Sequence, residues 1–157
     1  MSKSITRVID AAKALGLEID VQRMPQTTRS AADAALACEC DLGQIVKSLI
    51  FEGRETGALM LVLVSGHHEL DMEQAAETFG EPLTRADPKR VRSETGFAIG
   101  GVAPIGHLTQ PMTWLDRDLL QYQVVWAAAG APDAVFSIDP KHLAELPGVQ
   151  VFSNAEA

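Results

Sequence analysis

Between Gly96 and Gly106 the chain runs G-F-A-I-G-G-V-A-P-I-G, and this stretch excludes both an ordinary helix and a central strand. Glycine reaches positive φ and lets a second backbone or a ligand come close, while proline fixes one bend. Phe97, Ile99, Val102 and Ile105 are apolar and anchor the segment to a core, so it is not a free linker. The pattern predicts a rigid wall, poor in side chains, that presents backbone N–H groups to something bound. A glycine-rich turn between strands would look similar, so the functional reading needs support from elsewhere in the chain.

The chain has 157 residues, enough for one domain with a proper core, and we expect a single domain over 1–157. The longest apolar run, Ala58 to Val64, suits a strand covered on both faces and is too short to span a membrane. The first residues, M-S-K-S-I-T-R, lack the apolar core of a secretory signal. Cys38 and Cys40 lie too close in sequence to bridge easily and suit reduced thiols in a cytoplasmic protein. A net charge of −8 argues against a broad nucleic-acid face, and DNA and membranes are not expected partners.

Along the chain, Ser4 is the expected cap of a helix carrying Ile5, Val8, Ile9, Ala12 and Leu15, closed by Gly16. Glu18 to Arg23 alternates as a strand, and Ser30 with Asp33 opens an alanine-rich helix. Gln44 to Phe51 (Q-I-V-K-S-L-I-F) reads as a strand with Ile45, Lys47, Leu49 and Phe51 on one face and Val46, Ser48 and Ile50 on the other. Lys47 thus stands in an apolar face, which either opens onto a cleft or lets the stem snorkel outward. Helices are expected at Met72 to Phe79 and from Asp87-Pro88, the latter carrying Lys89, Arg90 and Arg92 close to Arg85. This basic cluster is either a solvated face or an anion site. Strands follow at Met112 to Leu115, Gln123 to Ala129 and Ala134 to Ile138, then a short helix from Asp139-Pro140. Interleaved helices and hairpin-like links predict an α/β domain with a mixed sheet.

The sequence has no G-x-S-x-G elbow, P-loop or dinucleotide fingerprint. His67-His68 with Glu69 and Asp71 invites a metal reading, but adjacent histidines rarely converge on one ion and the helix cap accounts for Asp71, so no metal is expected. His107 either orients a ligand or closes the turn after the wall. What remains is a strand lysine, a glycine wall and a basic helix leading into it. Backbone amides stabilise an oxyanion and a lysine holds an anion, a set suited to hydrolysis of an activated ester by positioned water.

Q-I-V-K-S-L-I-F followed by G-F-A-I-G-G-V-A-P-I-G-H resembles the YbaK/ProX family of aminoacyl-tRNA deacylases, relatives of the editing domain inserted in bacterial prolyl-tRNA synthetases. The later A-A-A-G-A-P-D-A-V-F-S-I-D-P looks like the family's closing strand pair and helix. The resemblance implies a mixed, partly barrel-like β-sheet flanked by helices, with no cofactor. The implied activity is trans-editing, hydrolysis of a wrong amino acid from the 3′ end of a tRNA, often tRNA(Pro). Carried over by position, Lys47, Gly100 and Gly101 would form the catalytic set, the glycines through their backbone donors. Ser48, Phe97, Ile99, Pro104, His107, Gly130 and Ala131 would shape the substrate pocket. Arg85, Lys89, Arg90 and Arg92 would meet the CCA end. Implied partners are mischarged tRNA and a prolyl-tRNA synthetase, for a monomer or weak dimer.

Two departures bear on substrate choice. Gly130 is followed by Ala131 where alanine-editing members carry histidine, and Ser48 stands where some branches carry asparagine or threonine. Alanine, serine, threonine and cysteine esters all stay open. A non-catalytic module for a tRNA end or a synthetase is the alternative, and a small-molecule binder a weaker one.

Overall fold

The computed structural model describes residues 2–25 and 30–153. Helix α1 (Lys3–Ala14) buries Ile5, Val8 and Ala12, as their helical spacing predicts. Its cap is Ser2, whose side chain accepts from the Ile5 N–H, and not Ser4 as expected. Ser4 instead lies inside the first turn and donates its hydroxyl to the Gly96 carbonyl at 3.3 Å. The alternation at Glu18 to Arg23 yields only a two-residue strand β1 (Gln22–Arg23), because pairing with another strand is limited to those two positions. Ile19 and Val21 still pack half-buried on the core, so here alternation reports packing rather than a ladder.

Helix α2 (Ala31–Cys38) is capped by Ser30, which accepts from the Asp33 N–H. A 3-10 turn (Leu42–Gln44) follows, so strand β2 (Val46–Gly53) begins two residues later than the sequence suggested. Strand β3 (Leu59–Ser65) pairs antiparallel with all of β2 except its last residue and is buried at every position. Leu59, Leu61 and Leu63 face the main core, whereas Met60, Val62 and Val64 face a second apolar layer with Trp114, Phe79 and Phe152. Burial on both sides explains the unbroken apolar run, each such side chain being worth up to about 1.5–3 kcal/mol.

Helix α3 (Met72–Phe79), strand β4 (Leu83–Arg85) and helix α4 (Pro88–Thr95) lead into the glycine segment. Strands β5 (Met112–Asp116), β6 (Val125–Ala128) and β7 (Ala134–Ile138), helix α5 (Pro140–Ala144) and strand β8 (Val149–Phe152) complete the described chain. Five strands form one sheet in the order β4-β2-β3-β5-β8, mixed because β3–β5 and β5–β8 run parallel. Three form a second sheet, β1-β7-β6, antiparallel throughout. An isolated parallel bridge from Ile45 to Trp126 joins the two sheets without closing them, so the expected barrel-like character is absent. The main core fills the space between the sheets and under α1, with Phe97, Phe136 and Leu119 at its centre. No described helix is long and apolar enough to cross a membrane.

Candidate active site

The cleft begins where β2 runs out of partners. One edge of β2 is taken by β3, but on the other β4 covers only Phe51 to Gly53 and the bridge to Trp126 engages Ile45. Between them the backbone edge of Lys47 to Ile50 has no partner strand among the described residues. That edge floors an open cleft of about 740 Å³, walled by Ala31 and Ala34 of α2, by Trp126, Ala128 and Pro132, and by Ile99 and Gly100. A smaller hollow of about 220 Å³ shares Ser48, Ile99 and Gly100 and reaches Arg85. Unpaired strand edges recognise extended or planar polar groups through main-chain hydrogen bonds.

The glycine segment stands over this floor as a wall. Gly101 N–H donates to the Ala98 carbonyl at 2.9 Å, closing a turn whose third residue, Gly100, has φ +97° and needs glycine. A Cβ on Gly101 would lie 2.9–3.1 Å from the Ala131 backbone, so the wall rests directly on the turn after β6. Arg7 of α1 clamps both ends: its Nε donates to the Gly106 carbonyl at 2.6 Å and its Nη2 to Gly96 at 3.0 Å. The same guanidinium lies 4.7 Å over the Phe97 ring, and His107 meets that ring edge-on.

These contacts sort the expected site residues. Gly100 and Ile99 line the cleft, whereas Gly101 spends its N–H inside the turn and is not on the lining, which corrects its expected role as a donor. The N–H groups of Gly100 and Val102, both on the lining, meet no acceptor among the described residues. Phe97, Pro104, His107 and Gly130 sit behind the wall as its supports, and none lines the cleft. Ala131 serves as the seat of Gly101. We expect Gly101→Ala to lift the wall off that seat, costing about 1–2 kcal/mol of stability and lowering turnover on any cleft substrate. Urea unfolding beside steady-state kinetics checks this.

Lys47 and Ser48 point to opposite faces of β2, as alternation requires. Lys47 shares the face of Val64, and its ammonium donates to the His68 carbonyl and pairs with Glu69 at 3.1 Å. The side chain that faces the glycine wall is therefore Ser48, whose buried Oγ has no partner, while Lys47 lines the cleft from its edge. Lys47 is still the one cation among the described residues that line the larger cleft. Of the basic cluster, Arg85 reaches the smaller hollow, and Lys89 and Arg92 are exposed on α4. Arg90 is held by Glu52 at 2.9 Å and Glu94 at 2.5 Å, which leaves little of its charge for an incoming phosphate. Trp126, Ala128 and Pro132 were not singled out by sequence; the signal available was the position of Trp126 in the alternating β6 run beside an A-G-A-P turn.

Residues 25–146 match the family model described as "Aminoacyl-tRNA editing domain". A solved structure described as "a putative trans-editing enzyme for prolyl tRNA synthetase" superposes with a TM-score of 0.91 at 46% identity, covering 100% of this chain and 99% of that one. Among curated proteins, "Uncharacterized protein YwhH" of Bacillus subtilis (strain 168) is 32% identical over 129 residues, 82% of either chain. The "Putative Cys-tRNA(Pro)/Cys-tRNA(Cys) deacylase EbsC" of Enterococcus faecalis (strain ATCC 700802 / V583) is 30% identical over 126 residues, 74% of this chain and 76% of its own. With a family model spanning residues 25–146, most of its length, this chain belongs to the aminoacyl-tRNA editing domain family.

Proposed function

We propose that this chain is an aminoacyl-tRNA deacylase that hydrolyses the ester joining a wrong amino acid to the 3′ end of a tRNA, tRNA(Pro) or a related one. The observation that carries the reading is the bare β2 edge facing Gly100 across an open cleft, in a chain of the editing family. In this reading the N–H groups of Gly100 and Val102 take the ester oxygen as it gains charge, a role worth about 10²–10³ in rate per donor in other oxyanion sites. Water attacks the carbonyl carbon, the ester bond breaks, and the ribose hydroxyl leaves with the proton that water gives up. Lys47, released from Glu69, meets the phosphate of the terminal adenosine, and Arg85 with Lys89 and Arg92 extends the contact. Trp126, Pro132 and Ile99 hold the adenine and the acyl chain. Trans action on a product of prolyl-tRNA synthetase in the cytoplasm, by a monomer or weak dimer, belongs to the same proposal.

The experiment is a deacylation panel of tRNA(Pro) and tRNA(Ala) charged with alanine, serine, threonine and cysteine. Accelerated loss of at least one ester supports the enzyme; retention of charged tRNA on a filter with no accelerated loss of any ester would leave a binding module instead. Ser48 supplies a sharper check. Its hydroxyl is buried without a partner beside the cleft; in this reading it bonds a polar group of the substrate once the ester is seated, a contact whose loss costs selectivity more than stability. Ser48→Ala is expected to lower kcat/KM for serine or cysteine esters relative to alanine by about tenfold, with Tm unchanged or raised.

A further inference from the structure

We propose that His67, His68 and Asp118 form a binding site for a divalent transition-metal ion such as Zn2+, outside the cleft. One ligand atom of each lies within 4.8 Å of the other two. The topology brings them together: the histidines follow β3, Asp118 follows β5, and these strands are parallel neighbours whose ends coincide. From the sequence no metal was expected, with Glu69 and Asp71 the only partners weighed; Glu69 pairs with Lys47 and Asp71 caps α3, and the fold brings up Asp118 instead.

The hydrogen bonds behind the rings fix their protons. Ser65 Oγ donates to the Gly43 carbonyl at 2.7 Å, so its 3.0 Å contact with His67 Nδ1 uses the proton of that nitrogen. His67 therefore offers the lone pair of Nε2. His68 Nδ1 lies 2.9 Å from Oδ2 of Asp116, a fully buried carboxylate that also accepts the Ser65 and Asp118 N–H groups. The other ring nitrogen, Nε2, lies 2.9 Å from Asp118 Oδ2, so each nitrogen of His68 meets a carboxylate oxygen. What sets the cluster apart from a simple histidine–aspartate contact is His67, whose ring brings a third ligand atom within 4.8 Å of the other two.

Two imidazoles and one carboxylate, each imidazole backed by a second partner, are a set that zinc and its neighbours favour, with water completing a tetrahedron. Ligand atoms around such an ion stand about 3.4 Å apart, which a small turn of the exposed His67 ring provides. The bound ion would sit on the residue whose carbonyl holds the Lys47 ammonium, and so would stiffen the loop at the cleft's edge.

The inference stands whether or not the chain is a deacylase, because its test reads metal directly. Chelator-treated protein is titrated with Zn2+ by calorimetry and with Co2+ by visible absorption, and its Tm is followed with and without Zn2+. One ion per chain, a four-coordinate Co2+ spectrum and a Tm raised by several degrees are expected. His67→Ala and Asp118→Asn, each with an unchanged circular dichroism spectrum, should each weaken binding at least about tenfold. Absence of binding, or binding of equal strength in either variant, would overturn the site and leave His68 as a hydrogen-bonded bridge between Asp116 and Asp118.

Discussion

Lys47→Met is expected to lower kcat/KM for deacylation about 100-fold while leaving the fold intact, the loss of a charge-assisted contact in a half-buried site. Methionine keeps the stem that packs beside Val64 and removes only the ammonium, so structure and charge are separated. The effect is large because Lys47 is the one cation among the described residues that line the main cleft. At rest the ammonium is paired with Glu69, an exposed carboxylate that a phosphate can displace at little cost. The loss should fall on KM as well as kcat, because a contact made to the phosphate holds substrate and transition state alike. Single-turnover hydrolysis of a mischarged tRNA at several enzyme concentrations resolves the two. Undiminished turnover in Lys47→Met would remove Lys47 from the site and leave the main-chain wall to act alone.

What the sequence made legible, and what it hid, follows from the range of the forces involved. The β3 run was readable because burial on both faces leaves an apolar side chain at each of its first six positions. The glycine segment was readable because positive φ and close approach are demands on single residues, met at Gly100 and Gly101. Alternation in β2 likewise separated Lys47 from Ser48 correctly. Which of the two faces turns to the wall was not readable, since it depends on where the second sheet docks, through a bridge between Ile45 and Trp126 that no local pattern announces. Strands β4 and β8 escaped notice because three or four residues carry too little periodicity. Phe97, Pro104, His107 and Gly130 were assigned to the pocket by carry-over from the family resemblance, which gives position along the chain but not depth in the fold. In space they stand one layer behind it, where Arg7, a residue given no role by the sequence, ties them to α1.

That supporting layer has its own titration, and the second large effect is expected there. His107 Nε2 meets the Ala103 carbonyl at 2.6 Å, so this nitrogen carries the proton and Nδ1 is a buried lone pair without a partner. Burial is the main force pushing its pKa down, to about 4, with the Arg7 charge acting in the same direction against the favourable Ala103 contact. In the unfolded chain the same imidazole takes up its proton near 6.5. Above that pH neither state is protonated and stability is unaffected. Between about 6.5 and about 4 only the unfolded chain binds the proton, so stability falls as pH falls, by about 3 kcal/mol across the window. Below the folded value both states are protonated and the loss stops growing. Carboxylates titrate over part of the same range, so the measurement is a difference: urea unfolding of wild type and His107→Gln from about pH 8 to about pH 4. Glutamine can keep the donation to Ala103 and cannot titrate, so its stability should lack this slope and the two curves should converge on acidification. Parallel curves would mean that His107 is solvated enough to charge in place. The wall would then rest on Arg7 and the Phe97 ring, without help from a neutral imidazole.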